Sequence, residues 1–169
     1  MAQSVNGAII LKFIANILQA VGVGNGQLAI NYPLEFDFSD GSGANKVHQC
    51  WSSSARSIAA SGNEALDLSG SLSDAFGNSI ALTKVKAILI KASALNVNDV
   101  VVGGAASNGF VSPFGDPTDK VNVKPGGLLL LVAPDANGYS VTAATADQLK
   151  VANSGAGTAV VYDIIIIGE

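Results

Sequence analysis

The tetrapeptide His48-Gln49-Cys50-Trp51 brings together the only histidine and the only cysteine of the chain. In a strand, alternation sends His48 and Cys50 to one face and Gln49 and Trp51 to the other, so two ligand-type side chains would meet. A tetrahedral metal site needs four ligands, and with no second His or Cys the missing ones would have to be carboxylates such as Asp37 or Asp40. The expected reading is a buried thiol beside a hydrogen-bonded imidazole. Serines abound, yet no Gly-x-Ser-x-Gly elbow is present to expose one as a nucleophile. Gly22-Val23-Gly24-Asn25-Gly26 departs from Gly-x-Gly-x-x-Gly, and no Gly-Lys dipeptide exists for a phosphate loop. The loop Phe114-Gly115-Asp116-Pro117-Thr118-Asp119 groups two carboxylates without the ligand set of a calcium loop, and an Asp-Pro turn is expected there. Trp51, Tyr32, Tyr139 and Tyr162 could stack on sugar rings, but with aromatics at 6% of the chain most of them are needed in a core. The sequence therefore predicts no catalytic residue, no cofactor and no metal.

Composition points the same way. The chain has 169 residues, of which 49% are hydrophobic and only 13% charged, about half of the roughly 25% usual for a soluble domain. Disorder is excluded. Nine Lys and Arg against thirteen Asp and Glu leave a net charge of -4, with no basic excess to neutralise phosphates or to hold an anionic membrane. Neither nucleic acid nor membrane is expected as a partner.

Two regions of unlike character would have to carry any site. Residues 8–23, AIILKFIANILQAVGV, are interrupted by Lys12, Asn16, Gln19 and Gly22, too often for a bilayer span. No basic residue precedes Lys12, so a secretory leader is not expected and synthesis in the cytoplasm is. Ile9, Phe13 and Ile17 recur every four residues, as do Ile10, Ile14 and Leu18, which is a helical face. Isoleucine at four of these six positions argues instead for a strand. The segment is thus an apolar arm or helix of residues 1–22 that must dock on something apolar, or else the first strand of the adjoining β-domain.

From residue 23 to 169, short apolar runs are separated by Gly, Asn, Asp, Ser and Pro, the punctuation of an antiparallel β-sandwich. Residues 27–31 and 34–38 flank Tyr32-Pro33, and residues 46–51 and 55–59 flank Ser52-Ser53-Ser54. Residues 71–76 offer Ser71 and Asp74 as a capping-box-like start for one helical turn. Residues 79–92 form the longest strand, with Lys84 and Lys86 on the face continued by Ile88 and Ile90, and Val85, Ala87 and Leu89 opposite. Residues 128–131 and 164–167 are each four consecutive large aliphatics. A strand places two of the four on each side, and one side of a sandwich sheet looks outward. Leaving two isoleucines there in water forgoes about 1.5 to 3 kcal/mol apiece. A neighbouring subunit or the N-terminal segment should cover them, unless loops of the same chain do. Ile9, Ile10, Phe13, Ile14, Ile17, Leu128, Leu130, Ile165 and Ile166 are the interface candidates, and the chain is expected to be a homo-oligomer, most simply a trimer.

Residues 64–91, EALDLSGSLSDAFGNSIALTKVKAILIK, together with Val101-Val102-Gly103-Gly104-Ala105-Ala106-Ser107-Asn108, Lys124-Pro125-Gly126-Gly127-Leu128-Leu129-Leu130 and Tyr162-Asp163-Ile164-Ile165-Ile166-Ile167-Gly168, resemble small virion structural proteins of tailed phages and prophages. Residues 38–59, with Asp40-Gly41-Ser42-Gly43-Ala44-Asn45, Trp51 and Arg56, fit the same pattern. The likeness covers residues 34–169, and its most specific parts are LDLSG-x-LSDAFGNSI and KPGGLLLL. It implies a jelly-roll-like sandwich on the phage particle: a head decoration, or cement, protein bound to the major capsid protein. A tail, neck or fibre module, or a carbohydrate-binding adhesion sandwich, is the alternative. No catalytic residue is carried over, and the N-terminal segment lies outside the likeness.

Overall fold

The computed structural model describes residues 4–169, and among these it has strands and turns but no helix. Strand β1 (Gly7–Val21) runs antiparallel to β2 (Gly24–Asp40) from Gly7 opposite Phe38 to Val21 opposite Gly24. The β-branched isoleucines, crowded in a helix and relaxed on a pleated ribbon, prevail over the four-residue recurrence. Gly22, at φ +29°, occupies the tight turn, a conformation that favours glycine. The boundary expected at residue 22 is thus the tip of a hairpin, and the arm continues to Asp40. Residues 27–31 and 34–38, expected as two strands of the sandwich, are parts of one arm strand. Pro33 fits within it because β2 has an open edge there, where a missing N–H is tolerated.

The chain continues through β3 (Lys46–Val47), β4 (Gln49–Ile58), β5 (Asn63–Asp67), β6 (Leu72–Ser73), β7 (Ser79–Ile80), β8 (Lys84–Ala92) and β9 (Val100–Gly103). It ends with β10 (Lys120–Val123), β11 (Leu128–Val132), β12 (Tyr139–Ser140), β13 (Gln148–Asn153) and β14 (Val160–Gly168). One sheet has the order β11-β8-β14-β4, with β12 beside β8, and the other β10-β9-β13-β5. Within each sheet the pairing is antiparallel. Ile88, Ile90, Tyr162, Ile164 and Ile166 of the first sheet pack against Leu66, Val100, Val102, Leu149 and Val151 of the second in one core. The protein is the all-β antiparallel sandwich that the punctuation predicts. The arm joins it through the parallel pairs Ser39–Lys46 and Asp40–Val47. Asp40 also accepts from the Val5 N–H at 3.2 Å, while its own N–H donates to Asn6 at 3.2 Å.

Three local expectations change. Residues 71–76 form no helical turn: the Asp74 carboxylate accepts from the N–H groups of Phe76 and Asn78, both at 2.8 Å, and closes the β6–β7 hairpin. This is the competition by which Asp draws the backbone away from helix. Strand β4 passes straight through Ser52-Ser53-Ser54. Its irregularity lies at Ala55, at φ +53°, whose N–H donates to Asp163 at 2.8 Å beside a register shift in β14. A second shift sets Ala87 opposite Ile167 but Val85 opposite Gly168. Lys86 is therefore an extra residue in β8, and Val85 joins Ile88 and Ile90 in the core while Ala87 and Leu89 turn to the other face.

Gly103 ends β9 at φ +101°, where an added Cβ would lie 2.6 Å from the Asp119 carbonyl oxygen. Left-handed strain and this clash together make Gly103→Ala cost roughly 2 kcal/mol or more. The expected result is a melting midpoint lower by roughly 4–8 °C, followed by fluorescence of Trp51, the single tryptophan, which is buried. An unchanged midpoint would show that β9 and β10 separate freely at that point.

Candidate interaction surface

Residues directly opposite in an antiparallel ribbon share a face. On one face of the arm the register pairs Ile9 with Phe36, Leu11 with Leu34, Phe13 with Tyr32, Ala15 with Ile30 and Ile17 with Leu28. None of the ten carries a charge. On the other face Ala8 lies opposite Asp37, Ile10 opposite Glu35, Lys12 opposite Pro33, Ile14 opposite Asn31 and Leu18 opposite Gln27. Every charged side chain of the paired region, Lys12, Glu35 and Asp37, is on this second face. The apolar face stands in solvent: Phe13 is 61%, Ile17 52%, Leu28 60% and Tyr32 60% exposed. Ile10, Ile14 and Leu18 on the mixed face are exposed as well, at 72%, 60% and 70%. With strands rising about 3.3 Å per residue, the arm reaches roughly 50 Å.

The two aliphatic runs behave as alternation predicts. Ile164 and Ile166 are fully buried and Ile165 is 45% exposed on the outer face. Leu129 and Leu131 lie opposite Ile90 and Ile88, whereas Leu128 and Leu130 lie opposite Lys91 and Leu89 on the outer side. Ile166, expected with Ile165 at a subunit contact, is instead a core residue, because neighbours in a strand cannot both look outward. The outer face is not sealed by loops of the sandwich. It borders an apolar groove of about 400 Å³ between the sheet and the base of the arm, lined by Ile9, Ile10, Phe38, Leu89, Leu130 and Ile165 among others. The groove thus links the sheet's outer apolar surface to the arm.

Two polar clusters, one buried and one half-buried, which no sequence motif announced, stiffen this framework. The Lys86 ammonium, fully buried, pairs with Glu169 at 3.1 Å and donates to the carbonyls of Gly43 and Asp135. Glu169 also accepts from the Gly43 N–H at 2.9 Å and from Lys84 at 3.2 Å. Burial pushes the Glu169 carboxyl up, but these donors outweigh it and hold the group below its ordinary value. In the second cluster Glu64 pairs with Arg56 and accepts from the Tyr162 hydroxyl at 2.8 Å, while Arg56 lies 5.6 Å from the centre of the Trp51 ring. Burial and the Glu64 contact raise the Tyr162 hydroxyl far above the usual phenol range. Both clusters bind parts of the fold to each other.

The residues singled out for chemistry do not converge. Cys50 lines the apolar groove, where burial pushes its thiol up. His48 is held through its backbone, whose N–H donates to the Gly168 carbonyl at 2.9 Å, and Asp40 is taken up at the arm base. Among the described residues no three His, Cys, Asp or Glu side chains group as metal ligands. Asp116 accepts from the N–H and hydroxyl of Thr118, and Asp119 from the Asp116 N–H, so this loop is a turn held by its own carboxylates. Trp51 and Tyr162 are core residues, Tyr139 packs against the core, and Tyr32 lies on the arm. No helix is long and apolar enough to cross a membrane among the described residues. The chain matches no protein-family model, and no curated protein matches it significantly in sequence.

Proposed function

We propose that the chain is a non-catalytic structural subunit of a phage particle, a decoration (cement) protein on the outer surface of a tailed-phage head. It acts as a homo-oligomer, most simply a trimer, and binds the major capsid protein. The observation that carries this reading is the exposed apolar surface of arm and groove, the kind of patch that marks a surface for binding another macromolecule. The likeness of residues 34–169 to phage virion proteins supplies the particle. A shell under pressure from packaged DNA gains from clamps across its subunit junctions. A rigid sandwich provides them at little conformational-entropy cost, and many copies make a modest contact sufficient. On this reading the outer face around Leu130 and Ile165 meets the capsid, and no cofactor or metal takes part.

The test compares heads with and without the protein for release of DNA on heating and on chelation. Heads lacking it are expected to open at lower temperature and to regain resistance when the purified chain is added back. Equal resistance would remove the head role and leave a tail, neck or fibre location.

A further inference from the structure

We infer that a cleft on the outer face of the β10-β9-β13-β5 sheet binds a sugar-sized oxyanion, with Lys120 and Lys150 holding its charged group. The cleft, of about 350 Å³, lies on the far side of the sandwich from Leu130 and Ile165. Residues directly opposite in neighbouring strands share a face, which sets Lys120 beside Gly103, and Asn122, Val101 and Ala152 in one row. Two residues along β13 from Ala152, Lys150 returns to that face on the other side of Gly103. With strands about 4.8 Å apart, the two lysines leave the backbone about 10 Å from each other. Both lean toward the residue after β9. The Lys150 ammonium lies 3.3 Å from the Gly104 carbonyl oxygen, and Lys120 Cδ is 3.7 Å from where a Cβ on Gly104 would stand.

Ion pairs occupy Arg56, Lys84, Lys86 and Lys124, whereas among the described residues no carboxylate pairs with Lys120 or Lys150. In a chain of net charge -4 the cleft is a place where positive charge stands uncompensated. Two ammoniums converging over a backbone floor match a group with several anionic oxygens, a carboxylate or a phosphate. The rest of the lining describes what carries that group. The Ser154 hydroxyl oxygen accepts from the Asp99 N–H at 2.9 Å, which leaves its own proton to donate, and the Asn122 carboxamide offers both a donor and an acceptor. Val101 and Ala152 add a small apolar floor. A carbon ring bearing hydroxyls meets all of these. The volume suits one small molecule, whereas a protein partner is held over about 800 Å² per side. Among the described residues no aromatic lines the cleft to stack a base, so a nucleotide fits less well. Binding here requires no particular location on a phage head.

The test is a titration of the full chain, labelled with nitrogen-15, followed by the amide signals of Gly103, Gly104 and Lys150. Glucuronate and glucose 6-phosphate are the probes for the two oxyanions, with glucose and inorganic phosphate beside them. At low salt at least one of the two acids is expected to saturate these shifts with a Kd of roughly 1 mM, and the tighter of the two identifies the oxyanion. Glucose and inorganic phosphate should each bind at least about tenfold more weakly, and raising the salt to roughly 0.3 M should weaken the acids. Lys120→Gln and Lys150→Gln should each cost about tenfold or more in affinity, while Lys91→Gln, the same loss of charge on the other sheet, should stay within about twofold. Trp51 fluorescence melts confirm that each variant keeps its sandwich. The absence of saturation by either acid up to roughly 50 mM would overturn the inference, as would Lys91→Gln weakening binding as far as the two cleft variants. Glucose binding as tightly as the acids would show that charge does not select the ligand, and inorganic phosphate binding as tightly as glucose 6-phosphate would show that no sugar is held; either result overturns it as well.

Discussion

Glu169→Gln is expected to destabilise the sandwich by about 3–5 kcal/mol, because it leaves the Lys86 ammonium fully buried without its counter-charge. The Gly43 and Asp135 carbonyls still accept from Lys86, but dipoles do not replace a carboxylate at 3.1 Å. Lys86→Met/Glu169→Gln should lose less than the single change, since it removes both ions and fills the site with apolar volume. Acid adds a second readout. The Glu169 carboxyl sits below its ordinary value of 4.5 in the fold, so its contribution is complete above that value and is lost as pH falls through the lower, folded one. Melting midpoints between about pH 5 and pH 3 should therefore fall more steeply for the native chain than for Glu169→Gln. Parallel curves would show that the pair carries no net stability.

Ile165 and Ile166 provide the second large effect, and a contrast within one dipeptide. Ile166 is fully buried at the centre of the core, opposite Trp51 in β4 and Ile88 in β8. An aspartate there forgoes about 1.5–3 kcal/mol of burial and adds several more for an unpaired buried charge. That sum consumes most of a stability of roughly 5–15 kcal/mol, so Ile166→Asp is expected to yield no folded protein. Ile165→Asp places its carboxylate at a half-exposed position on the outer face and should fold, melting within a few degrees of the native chain. Its expected defect is weaker retention on heads. Circular dichroism and soluble yield separate the two variants; equal behaviour would mean that the outer face is as closed as the core.

The same pair of residues marks how far the chain can be read from residues alone. The class of fold was legible because turn residues punctuate apolar runs throughout residues 23–169, and strict alternation in Ile164-Ile165-Ile166-Ile167 foretold an inner and an outer pair. The conformation of residues 8–21 was not, since apolar residues occur there at both strand and helix spacing. Only the pairing with residues 24–38 shows that the odd-numbered residues of β1 meet an unbroken apolar row, and pairing depends on residues distant in sequence. The same holds for Lys86. Its fate depends on a register shift against Gly168, and no local pattern encodes a bulge that arises between Val85 and Gly168, residues far apart in the chain. Asp74 is ambiguous in sequence for a local reason, because one carboxylate three residues after a serine suits both a capping box and a turn.

An assembly subunit that works through its apolar arm and outer sheet face on the surface of a phage head must be visible there. Electron cryomicroscopy of purified heads, with and without the protein, therefore tests the proposed function without an intermediate. Added density is expected on the outside of the shell at junctions between capsid subunits, with sandwiches grouped around converging arms and the face bearing Leu130 and Ile165 toward the capsid. Density confined to the tail or neck, or heads identical with and without the protein, would contradict it.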